Sequence, residues 1–584
     1  MTLGFPGGNA RGAAECGERH AVLHRDRDAS AGRSRTFKEG LVLKLHLEPP
    51  IYFGLTPRSN AAAIAALCLS VLAGNASAIS SFGFEALTQF DAAALGRNSI
   101  PPDTMGAVGT TQFMSTANGV YGVFDKTNGA RLSIVSDFNF WRDAGYRGFN
   151  QGMNARVMFN ADAQRWIVSS LAYDPTVNYS SAQIRIAVSN TADALGGWKS
   201  TSFTGYAGLG FGGLADFPTL AIDKNAVYIG TSNFAPPNAA AGSIFRGTTL
   251  NVIPINSLFN AGAPALTGIQ AFVTPFVYGS GSNTDRGFVI QGVNSSAAGS
   301  SGKIVADSLV AFDNIGYAVN GLSPSSATGS TLGTVVYAGQ SAYTEAGPGR
   351  QPAVATPANR RIIDTLDTRI GSSVYEVNGR IYMVQTVNPV ADGVDEARVH
   401  YTVLDSTTFA KLAEGDIGAA GYDYYQGSLA VNAAGKVVIG YNRSGLDVAT
   451  GNISFLAQVF DTAADGSLLP VSGEILLKTS LTDDYHNGSG FGLPASGRQR
   501  WGGFSQVTVD PTDPNSFYAI GEFAREYNLP AFGHPGGTGG SRWGTWVGVI
   551  NTTAPVPEPS SWLMMILGMA AVVSLTRRQM GATA

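Results

Sequence analysis

NARVMFNADAQRWIVSSLA, residues Asn154 to Ala172, holds two short runs of β-branched and aromatic residues. Between them lies Asn160-Ala161-Asp162-Ala163-Gln164, a cluster of turn formers. Apolar runs of this length, bounded by Asn and Asp, predict an antiparallel strand pair. The same shape returns at Asp103 to Phe124, Asp216 to Asn233, Ile370 to Val387, Gln426 to Tyr441 and Trp501 to Phe523, and fades around Arg286 to Phe312. Further strand candidates follow each pair, such as Gln183 to Val188, or Arg398 to Leu404 with Lys411 to Asp416. Four strands per unit, at spacings of roughly 45 to 75 residues, describe propeller blades, whose sheets bury their faces against one another. The chain therefore predicts an all-β propeller over 101–552. Seven four-stranded blades is the leading count and six the alternative, with 79–100 as a linker or strand lead-in.

Composition agrees. Charged residues make up 14% of the 584, there are 73 glycines, and no helical periodicity is sustained between the chain ends. The two cysteines, Cys16 and Cys68, both precede residue 79, so neither disulfides nor thiolate metal ligation can stabilise the body. The whole chain has 38 Lys+Arg and 42 Asp+Glu; the two ends hold 11 and 7 of these, leaving 27 against 35. A body near −8 argues against nucleic acid or an anionic membrane surface as partner. His400, His486 and His534 stand far apart without ligand spacing, so no metal is expected, and nothing points to a cofactor. Asp510-Pro511-Thr512-Asp513-Pro514-Asn515 reads as a turn, not a cation loop. Segments 202–213, 235–247, 279–302 and 321–355, rich in Gly, Ser, Ala and Pro, read as long surface loops.

The ends read as addresses. Residues 1–54 are Arg-rich and patternless, as expected of a mis-assigned or disordered extension. At 55–78, Arg58 precedes the apolar run Ala61 to Ala73, and Ala76 and Ala78 supply the small residues of a signal-peptidase site. This predicts a signal helix removed before Ile79. At 555–579, Pro557-Glu558-Pro559 precedes the apolar run Trp562 to Leu575 and the pair Arg577-Arg578. The run suits a single transmembrane helix, slightly short for a bilayer core of about 30 Å, with the arginines on the cytoplasmic side.

That order of tripeptide, apolar helix and basic pair resembles the C-terminal sorting signal of PEP-CTERM proteins. The resemblance implies transient insertion in the inner membrane of a Gram-negative bacterium and processing by an exosortase-type enzyme after signal peptidase. It further implies delivery to the outer surface or extracellular matrix, where polysaccharide is a candidate partner in a biofilm. The body resembles exported propellers with sialidase-like blades at Pro101 to Gly109, Gln164 to Ser169, Arg500 to Ser505 and Val509-Asp510-Pro511. Ser189 to Trp198 echoes a sialidase Asp-box through Asp193 and Trp198, but Gly196 and Gly197 stand one place late.

Innermost strands of a propeller start beside the central channel, so residues just before them are candidates to converge on a ligand. These are Asp103, Arg156, Asp216, Asp285 with Arg286, Arg369, Tyr425 and Arg500. Arginines there would fork onto the carboxylate or sulfate of an acidic sugar. Tyr425 with a carboxylate would suit glycosidase work. The other reading is that these charges pair across blade junctions and seal the channel. Two functions follow: a non-enzymatic binding or structural scaffold, which leads, and a sialidase-like glycan hydrolase. An open channel with converging arginines would favour the second, a plugged one the first.

Overall fold

The computed structural model describes residues 80–553 except 98, 175, 177–181, 207–212, 239–241, 261, 263, 265, 267, 274–288, 295–302, 308–312, 321–330, 333–335, 340, 353–360, 390–392, 487–496 and 528–539. The stretches expected to form signal and sorting helices lie outside the described residues, with Ala76, Ala78, Pro557, Glu558, Pro559, Arg577 and Arg578. So do Asp285, Arg286 and His534. Among the described residues no helix is long and apolar enough to cross a membrane.

The chain forms a six-bladed β-propeller. Sheet 1 runs in chain order through Met105–Val108, Gln112–Ala117, Val120–Asp125 and Arg131–Ser136, and sheet 2 from Gln151–Asn160 to Trp198–Phe203. Sheet 3 spans Leu214–Asp216 to Gln270–Val273, and sheet 5 spans Tyr422–Val431 to Ile475–Thr479. Sheet 4 accounts for the difference between counts of seven and six. Its ten strands hold two strand sets, joined where Val293 and Asn294 pair in parallel with Val374 and Tyr375. That joint falls in the region where the sequence repeat fades. Sheet 6 takes Gln506–Val509, Ser516–Tyr527 and Ser541–Asn551 from the end of the chain and Ser80–Thr88 from its start.

Local chemistry explains the hairpins. Asn378 and Gly379 both have positive φ (51° and 74°), the two-residue turn whose twist matches its flanking strands. Asp125, Asp405, Asp447 and Asp510 each accept from the backbone N–H two residues on, closing Asx turns. Segment 235–247, expected to be a loop, contains the tip of a long hairpin, Ala226–Asn238 with Gly242–Pro254. Its ladder runs on because only three residues separate the strands.

The core lies between adjacent sheets. Sheets 1 and 2 bury Met114, Tyr121, Trp141, Val157 and Trp166 together, and Trp166 is completely buried with its indole N–H on Ala192 O at 2.8 Å. A side chain at Gly109 would place its Cβ 2.5 Å from that indole, so only glycine fits. Closure of the ring joins first strand to last. Ser80 pairs with Asn551, and where the register slips between Glu85 and Thr88, Thr545 Oγ1 bonds both Leu87 N (2.8 Å) and Leu87 O (2.9 Å). Buried Lys126 adds a tie from sheet 1 to Asp510 beside sheet 6, at 2.7 and 2.8 Å.

Candidate functional site

Where the innermost strands begin, the backbone repeats one device. Asp103, Asn154, Phe217, Leu366 and Gln426 all have positive φ, between 46° and 61°. Side chains there are re-aimed by a single left-handed residue, and at Asn154 and Gln426 the ladder register shifts as well.

Arg156 fills the axis at this level. From sheet 2 its Nε donates to Pro218 O, just after sheet 3's first strand (3.0 Å), and its Nη1 donates to Gly371 O ahead of the Val374–Val377 strand (2.9 Å). The guanidinium lies 3.7 Å from the Phe504 ring centroid and 5.4 Å from that of Phe217, and the side chain is 2% exposed. These are cation–π contacts in a desolvated place. Burial pulls its pKa down to about 9, partly opposed by Asp103, so it remains a cation at neutral pH.

Arg369 also lies over the Phe217 ring, 4.5 Å from its centroid. Its Nε lies 2.7 and 2.8 Å from the two carboxylate oxygens of Asp367. Asp103 is buried, accepting from Gly503 N and Asn118 Nδ2, each at 2.8 Å. Asp216 accepts from Phe217 N (2.8 Å) and Asn154 Nδ2 (2.9 Å). Burial raises both carboxyl pKa values; Arg500 works against the shift at each, and Arg369 also does at Asp216. Arg500 is half exposed, its Nε 3.6 Å from Asp364 Oδ2.

The structure thus brings Asp103, Arg156, Asp216 and Arg369 together and sets Arg500 at their edge. Tyr425 goes elsewhere. The bulge at Gln426 turns the completely buried Tyr425 into the core, its hydroxyl donating to Ser444 Oγ at 3.1 Å, and burial raises its pKa. Gln426 takes the axial place instead, its N–H on Thr386 Oγ1 (3.2 Å) and its side-chain amide on Gly502 O.

Sequence reasoning also passed over Glu522. It lies wholly buried within Ser516–Tyr527, with Oε1 accepting from Thr104 N at 3.4 Å and Oε2 without a partner among the described residues. Burial, then the charge of Asp103, pushes its pKa well above the usual carboxylate range. A Cβ on Gly502 would stand 2.2 Å from Oε1, which explains the glycine. A lone acid inside the apolar run Phe517 to Ala524 was the available signal.

Chemically, two of Arg156's nitrogens and the fork of Arg369 are already committed, the first to carbonyls and the second to a carboxylate. The space left beside them, lined by Leu366, Gln385, Gln426 and Ser505, is about 20 Å3, room for about one water. Asp193 of the Asp-box echo lies in the turn between two strands of sheet 2, accepting from Gln112 Nε2 at 2.7 Å and from Leu195 N at 2.9 Å. His400 contacts Asp416 through Nδ1 at 2.7 Å. Among the described residues no group of three or more His, Cys, Asp or Glu converges to hold a metal ion.

No protein-family model matches the chain, and no curated protein matches it. Among solved structures it is similar to a protein of unknown function from Dyadobacter fermentans (11% identity, 68% of this chain and 95% of that one, TM-score 0.34). It is also similar to Trypanosoma rangeli sialidase in complex with sialic acid (11% identity, TM-score 0.33), covering 73% of this chain and 56% of that one. A third is the Dos1 propeller (9% identity, 77% of each chain, TM-score 0.33).

Proposed function

We propose that this chain is an exported, non-catalytic propeller that serves as a binding or structural scaffold at the cell surface or in the extracellular matrix. The observation that carries the scaffold reading is Arg156 crossing the axis, bonded to Pro218 O and Gly371 O and stacked on Phe504. An arginine held this way is a keystone between sheets, with Nε and Nη1 committed to carbonyls and Nη2 left buried without a hydrogen-bond partner among the described residues. Hydrolysis of a glycoside needs two carboxyl groups placed about the scissile bond with room for substrate. Here Asp103 and Glu522 are buried, the space beside Arg369 is about 20 Å3, and the Tyr425 hydroxyl bonds Ser444.

Export rests on the sequence of the two ends, with signal peptidase acting at Ala76 and Ala78 and an exosortase-type enzyme reading Pro557-Glu558-Pro559. The pairing of Ser80 with Asn551 suits it, since both targeting segments would leave one edge of one sheet and their removal would spare the closed ring. Two measurements test the proposal. Fluorogenic sialosides should show no turnover above blank; turnover lost in Arg369→Ala would overturn the scaffold reading. Intact mass of protein from its host should show a chain beginning at Ile79 and shortened near Pro557 in the extracellular fraction. A full-length tail in the inner membrane would overturn the sorting reading alone.

A further inference from the structure

The crossover from sheet 1 to sheet 2 runs through the short helix Asp137–Asp143 and a loop to Asn150. Together with Arg185 of sheet 2 it encloses a groove of about 160 Å3. Sites that enclose a whole small molecule occupy about 300–1,000 Å3, so this one admits a single ring with the rest of a ligand outside. Trp141 and Tyr146 are buried in its floor, and Phe138 and Phe149 stand half-buried at its sides. Its mouth is open, because Arg142, Arg147, Gly148 and Asn150 are exposed.

The groove is basic within a negatively charged body. Arg142, Arg147 and Arg185 line it, and among the described residues no carboxylate does. Arg142 pairs with its neighbour Asp143 at 2.8 Å. Buried Arg185 lies over the Trp141 ring at 4.5 Å and shares Asp137 (3.6 Å) with Arg97 (3.1 Å), so two cations meet one carboxylate behind the floor. Arg147 is held by carbonyls alone: its Nη1 donates to Arg142 O at 2.7 Å and to Tyr146 O at 2.9 Å. That anchors the guanidinium at the exposed mouth and leaves its Nε–Nη2 edge, which grips a carboxylate through two parallel bonds.

Shape narrows the class. The cationic edge and the aromatic faces belong to one small space, since Phe149 follows Arg147 by two residues and Arg142, whose carbonyl holds Arg147, lies 5.8 Å from the Phe138 ring centroid. A bare inorganic anion would leave those faces uncovered. Bound peptides add a strand to a sheet edge or lay a helix in a long apolar groove, and the walls here are a seven-residue helix and a loop. A pyranose ring carrying a carboxylate supplies both halves, flat C–H faces for the aromatics and an anion for the fork, with hydroxyls for the exposed Asn150 amide. We propose that this groove binds one uronic-acid residue of an acidic polysaccharide. The proposal rests on the reading of the propeller as a binding scaffold and names what one of its surfaces takes up.

The test uses the mature chain with methyl β-glucuronide as probe and methyl β-glucoside, its uncharged counterpart, as comparator, read by saturation-transfer NMR and calorimetry. The glucuronide should bind at least about tenfold more tightly than the glucoside. Arg147→Gln should raise Kd at least about tenfold, and Arg147→Lys should restore only part of the loss, because an ammonium lacks the fork. Lys436→Gln, the same charge change on sheet 5, should leave Kd unchanged. In the unsubstituted protein the glucuronide should also protect Arg147 from phenylglyoxal, mapped by peptide mass, which decides the matter if Arg147→Gln does not fold. No binding of the glucuronide at about 10 mM, or binding indifferent to Arg147→Gln, would overturn the assignment. So would acetate or tetraglutamate binding as tightly as the glucuronide, which would make the groove a general anion or acidic-peptide site. Hydrolysis of the probe would contradict the scaffold reading, whereas missing binding without hydrolysis contradicts only the groove.

Discussion

Arg156 holds carbonyls from two other sheets and two aromatic faces with one planar cation, and that combination decides what its replacement does. Arg156→Met should cost about 2–4 kcal/mol, since two buried carbonyls lose their donor. Arg156→Lys should fail to restore it, because a point ammonium cannot reproduce the fork and the stack. Urea unfolding midpoints check both. Glu522 supplies a pH signature. Asp103, Asp216 and Glu522 all have folded pKa values above those of the unfolded chain, chiefly through burial. The native state therefore holds more protons above the unfolded carboxylate range of about 4. Stability from their neutral forms is complete below that range and is lost as pH rises through the folded values. Glu522→Gln should flatten the fall in urea midpoint between about pH 5 and 8 and be the more stable protein at pH 8 by about 1–2 kcal/mol. A parent midpoint that climbs across that window would contradict the assignment.

Two glycines separate the ways an element depends on this residue. Gly379 has φ +74° with nothing within 4 Å of an added Cβ, so Gly379→Ala should cost about 1 kcal/mol through backbone strain alone. Gly109→Ala meets the Trp166 indole at 2.5 Å and should cost about 1–3 kcal/mol through overpacking, with a shift in Trp fluorescence that Gly379→Ala does not produce. Hairpins such as Asn378-Gly379 were legible in the sequence because turn chemistry is local. The left-handed residue at five of the six innermost strands was not, since Asp103, Asn154, Phe217, Leu366 and Gln426 share no chemistry. Tertiary contacts set that geometry, and it is why Gln426 reaches the axis where Tyr425 was expected. The two-residue parallel joint within sheet 4 is likewise too short to leave a pattern. Asp103, Arg156, Asp216 and Arg369 could be found in advance because position in a blade repeat maps onto distance from the axis. The groove beside Arg147 could not, since the short helix and loop that wall it lie outside the blade repeat.

Ring closure governs the whole molecule. Ser80–Thr88 covers the edge strand Ser541–Asn551, whose Trp543, Val547 and Ile550 are buried. Removing Ser80–Thr88 should abolish the cooperative thermal transition or lower its midpoint by more than about 10 °C, whereas removing residues before Ile79 should leave it unchanged. On the function proposed above, Arg156 keys the axis between sheets and the propeller binds without cleaving. One NMR experiment tests this most directly: the mature chain is incubated with neutral and acidic oligosaccharides while saturation transfer and anomeric signals are followed together. The account predicts saturation transfer to an acidic sugar, lost in Arg147→Gln, with anomeric signals unchanged throughout. New reducing-end signals that disappear in Arg369→Ala or Arg500→Ala would contradict it.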